Sequence, residues 1–342
     1  MVFARSAWHD RARVRIGGSD MKAVVIEEFG PPEVLALQEV GDPLVGRGDA
    51  LIEVEFCNVT FVETQIRSAR APHPSMLPQL PAILGNGVGG TVVAVGADID
   101  PRLVGARVVA SMGGSGGYAQ WASVSASATI PVPAAVEMSD AVALLADGRT
   151  AVGLVDRAGI RPGETVLVEA AAGGVGSLLV QLVKRAGARV VAAAGGERKL
   201  AVARGLGADI AVDYRKPSWT EEVSLAIDDA AVDVVFDGVG GQIGRDAFHL
   251  LGRGGRLCTF GMAAGSFTMI GEAELSRRGV IRLRGAAGDG RDLAALTIRA
   301  LSSAAAGELR AVIGQKLPLA NAADAHRAIE ARATIGKTLL VA

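Results

Sequence analysis

Residues 161–194 read RPGETVLVEAAAGGVGSLLVQLVKRAGARVVAAA, and their patterning decides the architecture. Arg161-Pro162-Gly163-Glu164 is a turn, because Pro presets φ and Gly takes conformations that other residues avoid. TVLVE, from Thr165 to Glu169, is a short β-branched run suited to a buried strand. Val175, Leu178, Leu179, Leu182, Val183 and Ala186 then recur at helical spacing and make one apolar stripe. Gly187 is placed to end that helix, and RVVAAA (189–194) is a second buried strand.

Between strand and helix lies Ala171-x-Gly173-x-x-Gly176, a dinucleotide fingerprint with Ala at the first glycine position. Gly173 lets backbone approach a pyrophosphate, Gly176 lets the helix pack against the strand, and Gly174 and Val175 complete the loop. The helix start offers its unpaired N–H groups to the phosphates. In a chain with 45 glycines a bare match means little. The strand before it, and the helix and second strand after it, give it meaning.

Working outward, 342 residues allow two domains of ordinary size. No apolar run is long enough to span a bilayer, so no membrane partner is expected. A net charge of −1 gives no reason to expect nucleic acid. Cys57 and Cys258 form no metal-type spacing and fit a reducing cytoplasm. Residues 1–20 carry Arg5, Arg11, Arg13 and Arg15 without a secretory core, and are expected to be a disordered extension before Met21.

From Met21 to about Pro133 the pattern is short strands with turns between them: KAVVIEE, ALIEVEFCNV, GGTVVAVG, ARVVAS and YAQWASVS. Even spacing of this kind predicts a barrel or sandwich. Ser139 is a plausible N-cap for a helix through Ala146, and a second helix is expected from about Arg149 to Ala158. Past the opening motif, strands at 210–214, 232–237, 256–260 and 279–283 alternate with helices near 197–205, 219–227 and 243–251. That alternation predicts a parallel doubly wound sheet. A helix near 293–306 and the closing KTLLVA are expected to return to the first domain.

At this point the chain resembles the zinc-independent quinone oxidoreductases of the medium-chain dehydrogenase/reductase superfamily. The resemblance runs from Met21 to Ala342 through KAVVIEEFGPPEVL, VETQIRS (62–68), GGYAQ (116–120) and EAAAGGVG before LLVQLVK. It continues through VDVVFDGVGG (232–241), GGRLCTFG (254–261) and EARATIGKTLL. It implies an α/β protein: a GroES-like β-barrel catalytic domain (21–142 with 285–342) and a Rossmann NADPH-binding domain (143–284). A cytoplasmic homodimer joined through sheet edges is expected with it.

The zinc-dependent branch of that superfamily takes ligands from a Cys, a Gly-His-Glu segment and a four-cysteine lobe. Here Thr60 aligns with the Cys and Gly85-Asn86-Gly87 stands for Gly-His-Glu. His9, His73, His249 and His326 are scattered, so no metal is expected. Oxidising an alcohol without metal means removing a hydroxyl proton with a pKa of about 16. Neither Tyr118 nor Tyr214 has a Lys four residues on to help. A quinone or an α,β-unsaturated carbonyl needs less help, since hydride addition yields a phenolate or enolate that solvent can protonate.

NAD enzymes place an acid at the end of the second strand to hold the ribose 2′-hydroxyl. This strand ends Ala193-Ala194-Gly195-Gly196, followed by Glu197, Arg198 and Lys199. The resemblance assigns Lys199 to the 2′-phosphate of NADPH, and places Tyr214, after the third strand, and Arg332, in EARAT, on cofactor positions. It assigns Phe61, Val62, Glu63, Thr64 and Gln65 to the nicotinamide side with Thr150, and Val239, Gly240, Phe260 and Gly261 to the crevice at the strand ends. Thr60 and Gln65 are the catalytic candidates, and both depart from the usual Asn and Tyr of the family. An enoyl-thioester reductase of fatty-acid or polyketide metabolism is the close alternative. A non-catalytic NADPH-binding relative is the other.

Overall fold

The computed structural model describes residues 20–285 and 292–342, so the extension expected at 1–20 lies almost wholly outside the described residues. The first part contains β1 (Met21–Ile26), β2 (Ala36–Val40), β3 (Asp49–Val59), α1 (Phe61–Arg67), β4 (Ala82–Ile83) and β5 (Gly87–Val95). It continues with β6 (Arg107–Ser111), β7 (Trp121–Ser125), β8 (Thr129–Pro131) and α2 (Met138–Ala158). Strands β9 (Thr165–Glu169), β10 (Arg189–Ala194), β11 (Ile210–Asp213), β12 (Val232–Asp237), β13 (Leu251–Thr259) and β14 (Ile281–Arg284) follow. Between them lie α3 (Gly174–Arg185), α4 (Glu197–Gly205), α5 (Trp219–Ala226), α6 (Gly241–His249) and α7 (Glu272–Arg278). The rest is α8 (Leu293–Ala305), β15 (Ile313–Pro318), α9 (Ala322–Glu330) and β16 (Lys337–Val341).

Strands β9 to β14 form one parallel six-stranded sheet in the order β11-β10-β9-β12-β13-β14. The order reverses between β9 and β12, the switch point at which doubly wound sheets leave a crevice. All five residues of β9 are buried, as its unbroken TVLVE run requires when helices cover both faces. The barrel sheet runs β15-β16-β3-β5-β6-β8, with β7 also on β3, and a small sheet β2-β1-β4 lies beside it. Its strands are antiparallel except for the β15–β16 pair. Both expected architectures are therefore present, and β16 does return from the end of the chain to pair with β3.

Two helices were expected between Ser139 and Ala158, and the structure has one, α2, with Glu137 at its N-cap. Asp147-Gly148 reads as a break, but Gly148 is there for packing. A Cβ on it would stand 2.9 Å from the Ala300 Cβ of α8 and 3.1 Å from Leu144 Cβ. The missing side chain lets α8 approach, and the core cluster formed by Leu144, Leu145, Leu296 and Leu301 outweighs the helix propensity lost at one glycine. Strand β13 also starts earlier than expected, at Leu251, and Gly279 caps α7 in a left-handed conformation instead of opening β14.

Candidate active site and cofactor cleft

The segment after β3 forms α1, with Thr60 at the N-cap and Glu63 three residues on, a capping box. Thr60 donates twice to Glu63 Oε2, from its backbone N at 2.5 Å and from Oγ1 at 3.0 Å. The other oxygen, Oε1, accepts the backbone N–H of Asn86 at 2.6 Å. Glu63 thus ties together the two places where the zinc branch would put its Cys and His. It is 1% exposed, and burial pushes its carboxyl up while the hydrogen bond from Thr60 N and the charge of Lys337 work against that.

Lys337, at the start of β16, is itself buried and donates to Asp147 Oδ1 of α2 at 3.1 Å. Lys337 thus stands between two acids, acting on Glu63 through its charge and bonded to Asp147, and Asp147 reaches the start of α3. On the barrel side, burial and then the charge of Glu63 push the Tyr118 phenol well up. The Tyr118 hydroxyl lies 3.0 Å from His326 Nε2, and burial depresses that imidazole to about 3. His326 is on α9.

Within α1, Phe61 and Gln65 line a cleft of about 740 Å³, whereas Val62 packs on the barrel core. Gln65 Nε2 donates to Thr64 Oγ1 at 3.0 Å, and Thr64 Oγ1 donates to the Phe61 carbonyl at 2.7 Å. Val62 and Thr64 are therefore packing and bracing groups in this structure. The single hydroxyl proton of Thr60 is turned toward Glu63.

Arg332 crosses the cleft. It holds a left-handed φ of 53°, unusual for a residue with a side chain, and its Nη2 donates to the Ala263 carbonyl at 3.0 Å. Lys199 of α4 donates to the Arg332 carbonyl at 2.7 Å, and burial, then Arg332 and Arg215, lower its pKa. The Tyr214 ring lies over Gly195, 3.4 Å from where a Cβ would stand. Arg215 was missed by sequence reasoning. Its Nη2 lies 2.8 Å from the Cβ position of Gly196, and its guanidinium grips Asp213 at 2.6 and 2.9 Å. Its signal was there, an acid ending a strand and a base two residues on. Arg198 is exposed on α4.

The glycine loop behaves as its spacing requires. Gly173 is the N-cap of α3, and a Cβ on Gly176 would come within 2.2 Å of the Ala170 carbonyl. Ala171 is buried, and Asp147 Oδ2 leaves no room for a side chain at Gly174. Gly336 donates to the Ala172 carbonyl at 2.7 Å, so the segment leading into β16 is laced to this loop. Thr150 Oγ1 donates back along α2 to the Ala146 carbonyl at 2.8 Å. Val239 and Gly240 are buried, and the crevice wall is the overlying segment at Met262, Ala263, Ala264 and Gly265, another set the sequence reading missed. Ala264 N bonds the Val239 carbonyl at 2.7 Å, and Phe260 packs over Gly238 beside Gly261.

Among the described residues no three His, Cys, Asp or Glu side chains come together in a way that could hold a metal ion. Nor is any helix long and apolar enough to cross a membrane.

A parallel sheet with its crevice at the switch point, joined to a barrel whose α1 faces that crevice, defines a medium-chain dehydrogenase/reductase. Family profiles agree: one described as "Alcohol dehydrogenase GroES-like domain" matches residues 46–134, and one described as "Zinc-binding dehydrogenase" matches 174–298. Quinone oxidoreductase of Salmonella typhimurium is 30% identical, over 93% of this chain and 98% of the relative. The crystal structure of Escherichia coli quinone oxidoreductase complexed with NADPH superimposes with a TM-score of 0.84 at 28% identity, covering 94% of this chain and all of that one. A mycobacterial protein complexed with NADPH gives 0.83 at 32% identity, again over 94% of this chain and all of the other. The chain belongs to the quinone oxidoreductase family of this superfamily.

Proposed function

We propose that the protein transfers hydride from NADPH to quinones or α,β-unsaturated carbonyls without a metal. One observation carries the reading: the carboxylate of Glu63 fills the space between Thr60 and Asn86 with hydrogen bonds, where a zinc enzyme would place ligands. The cleft residues fit a phosphorylated dinucleotide. The side-chain-free cradle at Gly173 and Gly176 suits the pyrophosphate, and Lys199, Arg215 and Arg332 gather around Gly195 and Gly196, where a 2′-phosphate would lie. The bound nicotinamide supplies the hydride. Phe61 and Gln65 line the cleft, and Thr60 stands at the head of α1 with its one hydroxyl proton given to Glu63, so it steadies a product oxygen only by turning that proton away from the carboxylate.

NADPH consumption measured with 1,4-naphthoquinone, 2-alkenals and crotonyl thioesters, with and without chelator, tests this. Turnover of the first two that survives chelation is expected, and activity that needs about one bound zinc per chain would overturn it. The thioester reading draws on Arg70, which is 66% exposed at the cleft mouth and suited to a phosphate-bearing carrier. A crotonyl thioester outpacing both other substrates would favour it. The domain division at 21–142 with 285–342 and 143–284, and a cytoplasmic setting, belong to the same proposal. So does a homodimer paired through sheet edges, for which exposed Met269 and Ile281 beside and on edge strand β14 speak.

A further inference from the structure

Glu169 ends β9 and Asp237 ends β12, neighbouring strands whose register pairs Val168 with Phe236 and so sets the two carboxyls side by side. Both residues are 0% exposed. Glu169 Oε2 accepts the N–H of Val239 at 3.1 Å, and Asp237 Oδ1 accepts that of Gly240 at 2.8 Å. One oxygen of each remains without a partner, Oε1 of Glu169 and Oδ2 of Asp237. Two buried acceptors facing each other are costly as a pair of anions, and one proton between them satisfies both.

We infer that Glu169 and Asp237 share one proton and act together as positioning residues for the cofactor crevice. Glu169 is the protonated partner: burial, then the charge of Asp237, pushes its carboxyl well up. The other titratable groups acting with the pair are Asp246 of α6, which pushes the same way, and Tyr214 past β11, which Glu169 raises. The link to the crevice is short. Glu169 holds Val239 N, the Val239 carbonyl holds Ala264 N, and Ala264 lines the cleft, while the Asp237 carbonyl accepts Phe260 N at 2.9 Å. Removing the proton sets two carboxylates against each other beneath this wall and loosens its hold on the cofactor.

The inference rests on the dinucleotide reading of the cleft, and its test separates the two. Dissociation constants for NADPH and NADH are measured by fluorescence titration from neutral to alkaline pH, since a raised carboxyl ionises above its ordinary range. For wild type, both cofactors are expected to bind about tenfold more weakly at the alkaline end, one pK unit of coupling. NADH lacks the 2′-phosphate, so a loss that NADH shares does not come from a charge pair between Lys199 and that group, and Glu169→Gln separates it from the contact of Lys199 with Arg332. Glu169→Gln keeps an acceptor for Val239 N and a donor for Asp237, and is expected to bind NADH equally across the range. Infrared difference spectra should show a protonated-carboxyl band in wild type at neutral pH that Glu169→Gln removes. A flat wild-type NADH profile, the same slope in Glu169→Gln, or no such band would overturn the shared proton or its coupling. Should Glu169→Gln fail to fold, Asp237→Asn and the wild-type band decide it. Failure to bind either cofactor at neutral pH would instead overturn the reading of the cleft, with the band still reporting the proton.

Discussion

Lys199 and Arg332 meet across the cleft, the ammonium of one donating to the backbone carbonyl of the other at 2.7 Å. The contact brings two cations together on either side of a crevice, and Arg215 adds a third. Such an arrangement is stabilised by an anion between its members, which supports the proposal that the 2′-phosphate lies there.

Lys199→Ala should accordingly weaken NADPH binding by about 1.5–3 kcal/mol, the range for a charge-assisted hydrogen bond, or about ten- to hundredfold in dissociation constant. NADH binding should hardly change. Equal weakening of both would mean that the contact with Arg332 shapes the whole cleft.

Arg215→Ala tests cofactor choice from the other side. Arg215 is what holds the Asp213 carboxyl down to about 2, and with it gone an acid stands beside Gly196. That acid repels a 2′-phosphate and accepts a 2′-hydroxyl, as in NAD enzymes. The ratio of NADH to NADPH affinity should rise at least about tenfold, or about 1.4 kcal/mol; an unchanged ratio would place Arg215 outside the site.

Thr60→Val removes the hydroxyl that Glu63 steadies. A fully preorganised oxyanion donor is worth about a hundred- to thousandfold in turnover; Thr60 must first turn its proton away from Glu63, so its loss should cost less than that, and an enone should feel it more than a quinone, whose charge spreads over a ring. The N-cap is lost as well, at about 1 kcal/mol of stability. Wild-type rates with both substrates would leave Thr60 as a cap and nothing more.

His326 makes a prediction about acid. Its folded pKa of about 3 lies below its ordinary value of 6.5, so the unfolded chain binds a proton that the folded one refuses. Its contribution to stability is complete above about pH 6.5 and is lost as pH falls toward 3, at no more than about 1.4 kcal/mol per pH unit. In denaturant titrations His326→Gln should flatten that limb. An unaltered acid limb would assign the acid sensitivity to other groups.

Gly148→Ala should lower stability by about 1–3 kcal/mol, the usual cost of overpacking, although alanine favours helix. A rise in Tm would show that α2 and α8 part easily.

The glycine loop, the stripe of α3 and the strands on either side were legible because each is written in consecutive residues. Gly148 was not, because a glycine that ends a helix and one that admits a neighbouring helix look alike until Ala300 is in place. Glu169 and Asp237 each looked like an ordinary strand end, and only the register of β9 and β12 sets them together. Arg215 and the 262–265 wall were missed for a related reason. They sit in connections, where no periodicity marks a side chain, and their meaning comes from Gly196 and Val239 beneath them. Lys337 and Asp147 lie too far apart in sequence for any spacing rule.

The lacing of Gly336 to Ala172 and of β16 to β3 bears on how the protein is made. On a growing chain the parallel sheet is complete long before Lys337–Val341 has been synthesised, while residues 56–59 of β3 still present an open edge. An unpaired strand edge invites pairing with other chains, and contacts this distant in sequence form slowly. The half-made molecule is therefore expected to carry a finished parallel sheet beside an unsealed barrel edge, a state exposed to aggregation. A chain stopped after Gly336 should leave a protease-resistant core of the parallel sheet and aggregate through the rest; a soluble, resistant barrel in that truncation would show that the seam closes without its final strand.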